Sequence, residues 1–222
     1  MARDHLTRKE MREDVFQDTM FHMVDYVYQK RRQFIAGAVA VLVVAAGIGG
    51  YFWYRTAQAQ AIAEAYYGVE QVRDDTSLEG DAHREKVLEA LYQFTATYPD
   101  SPLAVAAWLE AGELEIQAKR TKEAARAFEM TQHHKAATSL QQVLAVVGLG
   151  KLAEQQGKPE EAQGFYESLQ DEFTDIREYN LARVLLAQGD REAARQHLQT
   201  VIGQVPASPL ARSARALQDY LQ

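Results

Sequence analysis

Residues 34–54 read FIAGAVAVLVVAAGIGGYFWY, 21 positions without one charged side chain. As a helix at ~1.5 Å per residue the run is roughly 31 Å long, which matches the ~30 Å hydrocarbon thickness of a bilayer. A helix also satisfies the backbone N–H and C=O groups internally where no water can. Tyr51, Phe52, Trp53 and Tyr54 crowd one end, where amphipathic rings favour the headgroup layer, and Lys30, Arg31 and Arg32 close the other. The run predicts one transmembrane helix.

Its flanks predict an orientation. Seven Lys/Arg precede the span, whereas only Arg55 and Arg73 lie within the twenty residues after it. The positive-inside rule puts residues 1–33 in the cytoplasm and 55–222 outside, a single-pass protein of the bacterial inner membrane with a periplasmic C-terminal domain. A cleaved signal peptide could be argued from Ala57-Gln58-Ala59. The long charged segment ahead of the run, and a run beyond the usual ~7–15 residues, speak against it. A buried core helix is rarely this long with no polar face. Ala36/Ala40 and Ala46/Gly50 repeat small residues at a spacing that lets helices approach in lipid, a weak pattern in so alanine-rich a run.

Residues 5–33 predict a helical tail running into the span. Glu10, Glu13 and Asp14 lie near its start and the basic cluster at its end, which suits the helix dipole. Phe16, Met20, Met23, Val24 and Val27 form an apolar stripe. That stripe either rests on the bilayer or a second copy, or docks a partner.

After the span, residues 55–80 predict a connecting helix and linker, and 81–222 an extracytoplasmic domain. Alanine, leucine, glutamine, glutamate and arginine dominate, all good helix formers, and only 5 prolines and 13 glycines interrupt them. The expected class is all-α. With no cysteine in the chain, disulfides, thiolate metal sites, cysteine nucleophiles and a lipoprotein anchor are all excluded. The tail carries seven Lys/Arg against six Asp/Glu, but residues 56–222 carry sixteen against twenty-five. So acidic a domain is a poor counter-surface for phosphate backbones, and nucleic acid is not an expected partner.

The domain repeats itself. Residues 84–104 and 191–211 align without gaps at an offset of 107, pairing Leu91 with Leu198 and Pro99 with Pro206 and sharing Ser-Pro-Leu-Ala. Three steps of ~35 residues fit that offset. Trp108-x-x-Ala111-Gly112 is followed after twelve residues by Ala124-x-x-x-Phe128. Val146-x-x-Leu149-Gly150 and Ala162-x-x-x-Tyr166 repeat the pattern at the same internal spacing, and Leu181-Ala182 with Ala194-x-x-x-Leu198 gives a looser copy. The residue types follow from packing. Gly112, Gly150 and Ala182 are small where one helix of a pair meets the next, and Ala124, Ala162 and Ala194 are small on the facing helix. Trp108, Phe128, Tyr166 and Leu198 then fill the grooves between units. Gly157-Lys158-Pro159 and Gly189-Asp190 predict helix stops and restarts. Ser101-Pro102 and Ser208-Pro209 each supply a cap and a first helical residue, the second opening a last helix over 209–221.

These motifs resemble the tetratricopeptide (TPR) repeat over roughly residues 84–221. The resemblance implies a right-handed solenoid of helical hairpins that binds other proteins. The layout of tail, span, Gln/Ala-rich helix at 55–71 and degenerate repeats resembles the YfgM-like ancillary subunits of the bacterial Sec translocon. The YPDSPLA element at 98–104 also resembles periplasmic TPR domains of cell-division coordinators and outer-membrane assembly lipoproteins.

No motif supports catalysis: there is no P-loop, nucleophile elbow or H-E-x-x-H. His133 and His134 are adjacent, so on a helix their rings diverge by about 100° and read as a solvated helix end rather than a metal site. Asp74-Asp75 and Asp171-Glu172 read as exposed charges without a calcium loop, and Glu110, Glu113 and Glu115 as a solvated face. The expectation is a non-enzymatic interaction module of the cell envelope, with no cofactor, no metal and no small-molecule substrate. Its expected partners are secreted clients or periplasmic chaperones near the translocon. The alternative is a structural accessory subunit of a larger inner-membrane complex. Candidate contact residues lie on the helices over 110–119 and 141–154.

Overall fold

The computed structural model describes residues 30–77, 79–204 and 207–221, which form helices and turns with no strand among them. The chain divides into two compact units, Met1–Gln60 and Ala61–Gln222. Helix α1 (Arg31–Arg73) contributes residues to both. Apart from its last few residues, the expected tail helix over 5–33 lies outside the described residues.

In the first unit, the apolar stretch of α1 has a mean hydropathy of 2.1, and none of it is buried. Ile35, Val41, Leu42, Val43, Val44, Phe52 and Trp53 are all more than half exposed. Length and composition suit it to crossing a membrane. At its aromatic end the Arg55 guanidinium lies 6.0 Å from the centroid of the Tyr51 ring.

The second unit is built of hairpins. The helices are α2 (Gly80–Thr97), α3 (Pro102–Gln117), α4 (Thr121–Gln132), α5 (Ser139–Gln155), α6 (Pro159–Glu167), α7 (Thr174–Gln188), α8 (Arg191–Ile202) and α9 (Ala211–Asp219), with a 3-10 turn at Asp171–Phe173 before α7. The pairs α3/α4, α5/α6 and α7/α8 are closed by one turn geometry. Lys119 (φ 60°), Gly157 (φ 71°) and Gly189 (φ 89°) each take the left-handed conformation. The next amide then donates back to a carbonyl five residues earlier: Arg120 to Glu115 at 2.9 Å, Lys158 to Ala153 at 3.0 Å, Asp190 to Leu185 at 2.9 Å. This bond closes a Schellman motif and satisfies a carbonyl the helix leaves open. Glycine fills the position at no steric cost in two of the three; lysine pays for it in the other.

Starts are equally local. The Leu103 amide donates to Ser101 Oγ at 3.1 Å, with Pro102 the first residue of α3. Thr138 and Gln141 form a reciprocal capping box at the start of α5, and the Ala193 amide donates to Asp190 Oδ1 at 3.0 Å. The last helix starts later than the sequence predicts. Ser208 takes the Leu210 amide on its hydroxyl and the Ala211 amide on its carbonyl, both at 3.0 Å, so Pro209 and Leu210 form a turn and α9 opens at Ala211.

Four adjoining apolar clusters run through the unit. The first joins Val87, Leu88, Leu91 and Phe94 of α2 to Ala104, Ala107 and Ala111 of α3. It also takes in Ile62, Ala65, Tyr66, Val69 and Val72 from the end of α1, with the Tyr66 ring edge-on to Phe94 at 5.1 Å. The unit therefore begins at Ala61, and the stretch expected to be a connector contributes side chains to the core. Beside that packing an open recess of about 380 Å³ runs between α2 and the end of α1. The later clusters follow α3–α5, α5–α7 and α7–α9. Spacing between units is unequal, with 38 residues from Gly112 to Gly150 and 32 from Gly150 to Ala182.

Candidate interaction site

The twelve residues singled out in the sequence fall on the paired helices. Trp108 and Gly112 lie on α3, Leu149 and Gly150 on α5, Leu181 and Ala182 on α7. Facing them are Ala124 and Phe128 on α4, Ala162 and Tyr166 on α6, and Ala194 and Leu198 on α8, all six without solvent exposure. Leu149 shares a cluster with Ala124 and Phe128, Leu181 with Ala162 and Tyr166, and Ala182 with Ala194 and Leu198.

The small-against-large logic has a measurable form. A Cβ on Gly112 would lie 2.6 Å from Phe128 Cε1, and one on Gly150 would lie 2.5 Å from Tyr166 Cζ. Gly148, which the repeat pattern did not single out, would place a Cβ 2.5 Å from the same Phe128 atom. The Phe128 ring of α4 is thus wedged between the glycines of α3 and α5. Trp108 is only partly buried; its ring lies 5.7 Å from that of Tyr92, beside an open recess that Glu123 and Arg126 also line.

The three glutamates of α3 do not form one solvated face. Glu115 is 2% exposed. It accepts from the Tyr92 hydroxyl at 2.5 Å and from Arg120 Nε, while Arg120 Nη1 reaches Glu85 at 2.8 Å. Glu110 receives a two-pronged contact from Arg73, 2.8 Å from Nε and 2.5 Å from Nη2. Only Glu113 is largely solvated, and it meets Lys151 of α5 at 3.1 Å. Residues at 3.6 per turn cannot share a face when spaced 0, 3 and 5, and each finds a cation on a different neighbour.

A second such network joins units further along. Glu154 of α5 accepts from the Tyr166 hydroxyl at 2.5 Å and takes both carboxylate oxygens to Arg183 Nη2 at 2.7 Å. Arg183 in turn donates to Asn180 Oδ1 at 2.7 Å, and Asn180 is buried. Burial first, then the bond to the carboxylate, pushes the Tyr166 phenol well above its usual range, and Tyr92 is raised for the same two reasons. No spacing rule signals the contacts of Glu154 with Tyr166 and Arg183, because they are made across helices.

His134 is not merely a solvated helix end. Its Nδ1 accepts from the Ala136 amide at 3.1 Å, which leaves Nε2 as the donor to the Pro99 carbonyl at 2.7 Å. It ties the end of α4 to the turn before α3. Asp171 and Glu172 are exposed, and Asp171 pairs with Arg177 at 3.0 Å. Among the described residues no group of three or more His, Asp or Glu could hold a metal ion.

Residues 28–202 match the family model of the tetratricopeptide repeat-like domain. The chain belongs to that family. The match takes in the apolar part of α1 as well as the hairpins, and stops at the end of α8. No curated protein matches the chain significantly. TPR-like domains are in general protein–protein interaction modules rather than enzymes, and stacked hairpins present long surfaces suited to that role.

Proposed function

We propose that the chain is a membrane-anchored protein–protein interaction module of the bacterial cell envelope. The apolar stretch of α1 holds it in the inner membrane with its N-terminus in the cytoplasm. The TPR-like stack, on the periplasmic side, meets secreted chains or periplasmic chaperones near the translocon. The observation that carries this reading is that a long apolar helix stretch with no buried residue falls within the same family match as the hairpin stack. The excess of lysine and arginine before that helix supports the orientation.

Two experiments test it. Protease added to spheroplasts should digest the stack and spare the N-terminal tail; a protected stack would overturn the topology. Crosslinking with mass spectrometry in native membranes should join the stack to secreted chains or translocon subunits. The same uncovered helix favours a second reading, since another protein's span could pack on it as well as lipid does. Crosslinks confined to a single other membrane complex, together with a stoichiometric partner retained in mild detergent, would make the chain a structural accessory subunit instead.

A further inference from the structure

Where the end of α4, the first half of α5 and the connection from α6 to α7 meet, the second unit leaves a recess of about 380 Å³. Its apolar floor is Val143, Val146 and Leu169, each less than a tenth exposed, with Phe173 beside them. Around that floor stand Gln132, His133, Gln142 and Gln170. None of these four side chains hydrogen-bonds to another described residue. No Asp, Glu, Lys or Arg lines the recess, in a protein of which 25% of residues are charged.

We propose that this recess docks an extended, uncharged polypeptide segment. One bulky apolar side chain of the segment sits on Val143, Val146 and Phe173. Its flanking peptide groups pair with the carboxamides of Gln132, Gln142 and Gln170. The proposal rests on the protein-binding reading above and names the chemistry of the partner.

Complementarity carries the argument. A carboxamide offers both a donor and an acceptor without charge, which is what a peptide N–H and C=O require whatever the side chains attached. An ionised ligand, such as a phosphate or a lipid headgroup, would meet no lysine or arginine here, His133 being the one lining side chain that can take up a positive charge, so burying it would go largely uncompensated. The volume lies at the small end of the ~300–1,000 Å³ typical of ligand pockets. That suits one side chain with its adjoining backbone.

The test is peptide binding to the full chain in detergent micelles, read by fluorescence anisotropy. The probes are short labelled Gly/Ser/Asn peptides with one central Phe, Leu or Ala, and the same Phe peptide flanked by Asp or by Lys. Phe and Leu peptides should bind roughly tenfold more tightly than the Ala peptide, the scale of one buried apolar side chain. Affinity should hardly change between low and high salt. The exposed pair Gln142→Glu with Gln170→Glu should weaken binding roughly tenfold with unchanged thermal unfolding, whereas Gln155→Glu on the same helix should not. If the Phe peptide binds the double variant as it binds the wild type, the recess is not the site, and the broader reading stands. Tighter binding of either charged peptide overturns the proposal. So does failure of every peptide to bind, in which case the crosslinking above decides the broader reading independently. Loss of self-association in the double variant, without peptide binding, would make the occupant a second copy and overturn it as well.

Discussion

Replacing Gly150 by alanine isolates the contact on which the hairpin stack depends. At an open helical position the change from glycine to alanine gains roughly 1 kcal/mol. At Gly150 the new methyl would lie 2.5 Å from Tyr166 Cζ, a distance at which the ring must move. That ring has no solvent-exposed surface, and its hydroxyl donates to Glu154 at 2.5 Å. Overpacking costs roughly 1–3 kcal/mol, and disturbing a bond to an ionised carboxylate roughly 1.5–3 kcal/mol more. Less the helix gain, Gly150→Ala should destabilise by roughly 1.5–5 kcal/mol. Gly164 on α6 is the internal control, because nothing lies within 4 Å of its would-be Cβ; Gly164→Ala should stabilise by up to about 1 kcal/mol. Urea unfolding of the fragment 61–222, followed by far-UV circular dichroism, reads both as shifts of midpoint in opposite directions. Adding Tyr166→Leu to Gly150→Ala should recover part of the loss. Equal midpoints for Gly150→Ala and wild type, or equal losses at Gly150 and Gly164, would refute the assignment of this contact.

The left-handed turn position supplies a second test: Lys119→Gly should raise stability by roughly 0.5–1 kcal/mol and Gly189→Ala should lower it by about 1 kcal/mol, in the same urea assay. Removing residues 61–74 from that fragment should lower its unfolding midpoint, since the core cluster of Leu88, Leu91 and Phe94 loses Val69 (3% exposed) and burial of one such side chain is worth roughly 1.5–3 kcal/mol. Alkaline titration probes the two hydroxyl–carboxylate networks. The Tyr92 and Tyr166 phenols are raised in the fold, so they hold protons that the unfolded chain releases near pH ~10. Their contribution is complete below that pH and falls above it by roughly 1.4 kcal/mol per pH unit for each tyrosine. Tyr166→Phe should flatten that decline by one tyrosine's share, and an unaltered slope would count against the network.

The hairpins were legible in the sequence for a specific reason. Gly112 with Phe128 and Gly150 with Tyr166 place the smallest residue against an aromatic ring at a fixed separation, and nothing but close helix packing rewards that combination. The first helical partner was hidden by its neighbour. Ile62, Ala65, Tyr66, Val69 and Val72 have core spacing, yet they follow the apolar run so closely that the sequence reads them as a connecting helix. Glu115 was illegible because its burial is decided elsewhere, by Tyr92 one helix earlier and Arg120 beyond a turn. Lys119 gave no sign of its left-handed backbone, because lysine rarely adopts it and only comparison with Gly157 and Gly189 exposes the shared geometry. The recess walled by Gln132, Gln142 and Gln170 combines three separate segments of chain, and glutamines scattered through so glutamine-rich a sequence carry no pattern of their own.

The unequal steps between units have a consequence for anything that lies along the stack. The advance of 38 residues followed by one of 32 comes from the helices: α4 has 12 residues and α6 only 9, and Gly150 is the twelfth residue of α5 whereas Ala182 is the ninth of α7. In a strictly periodic solenoid a bound chain can slip by one unit and find nearly the same surroundings, as a nut travels along a thread. Here the thread is cut at two pitches. A ligand moved from one hairpin to the next would meet helices of a different length, so neighbouring hairpins do not offer it the same surroundings.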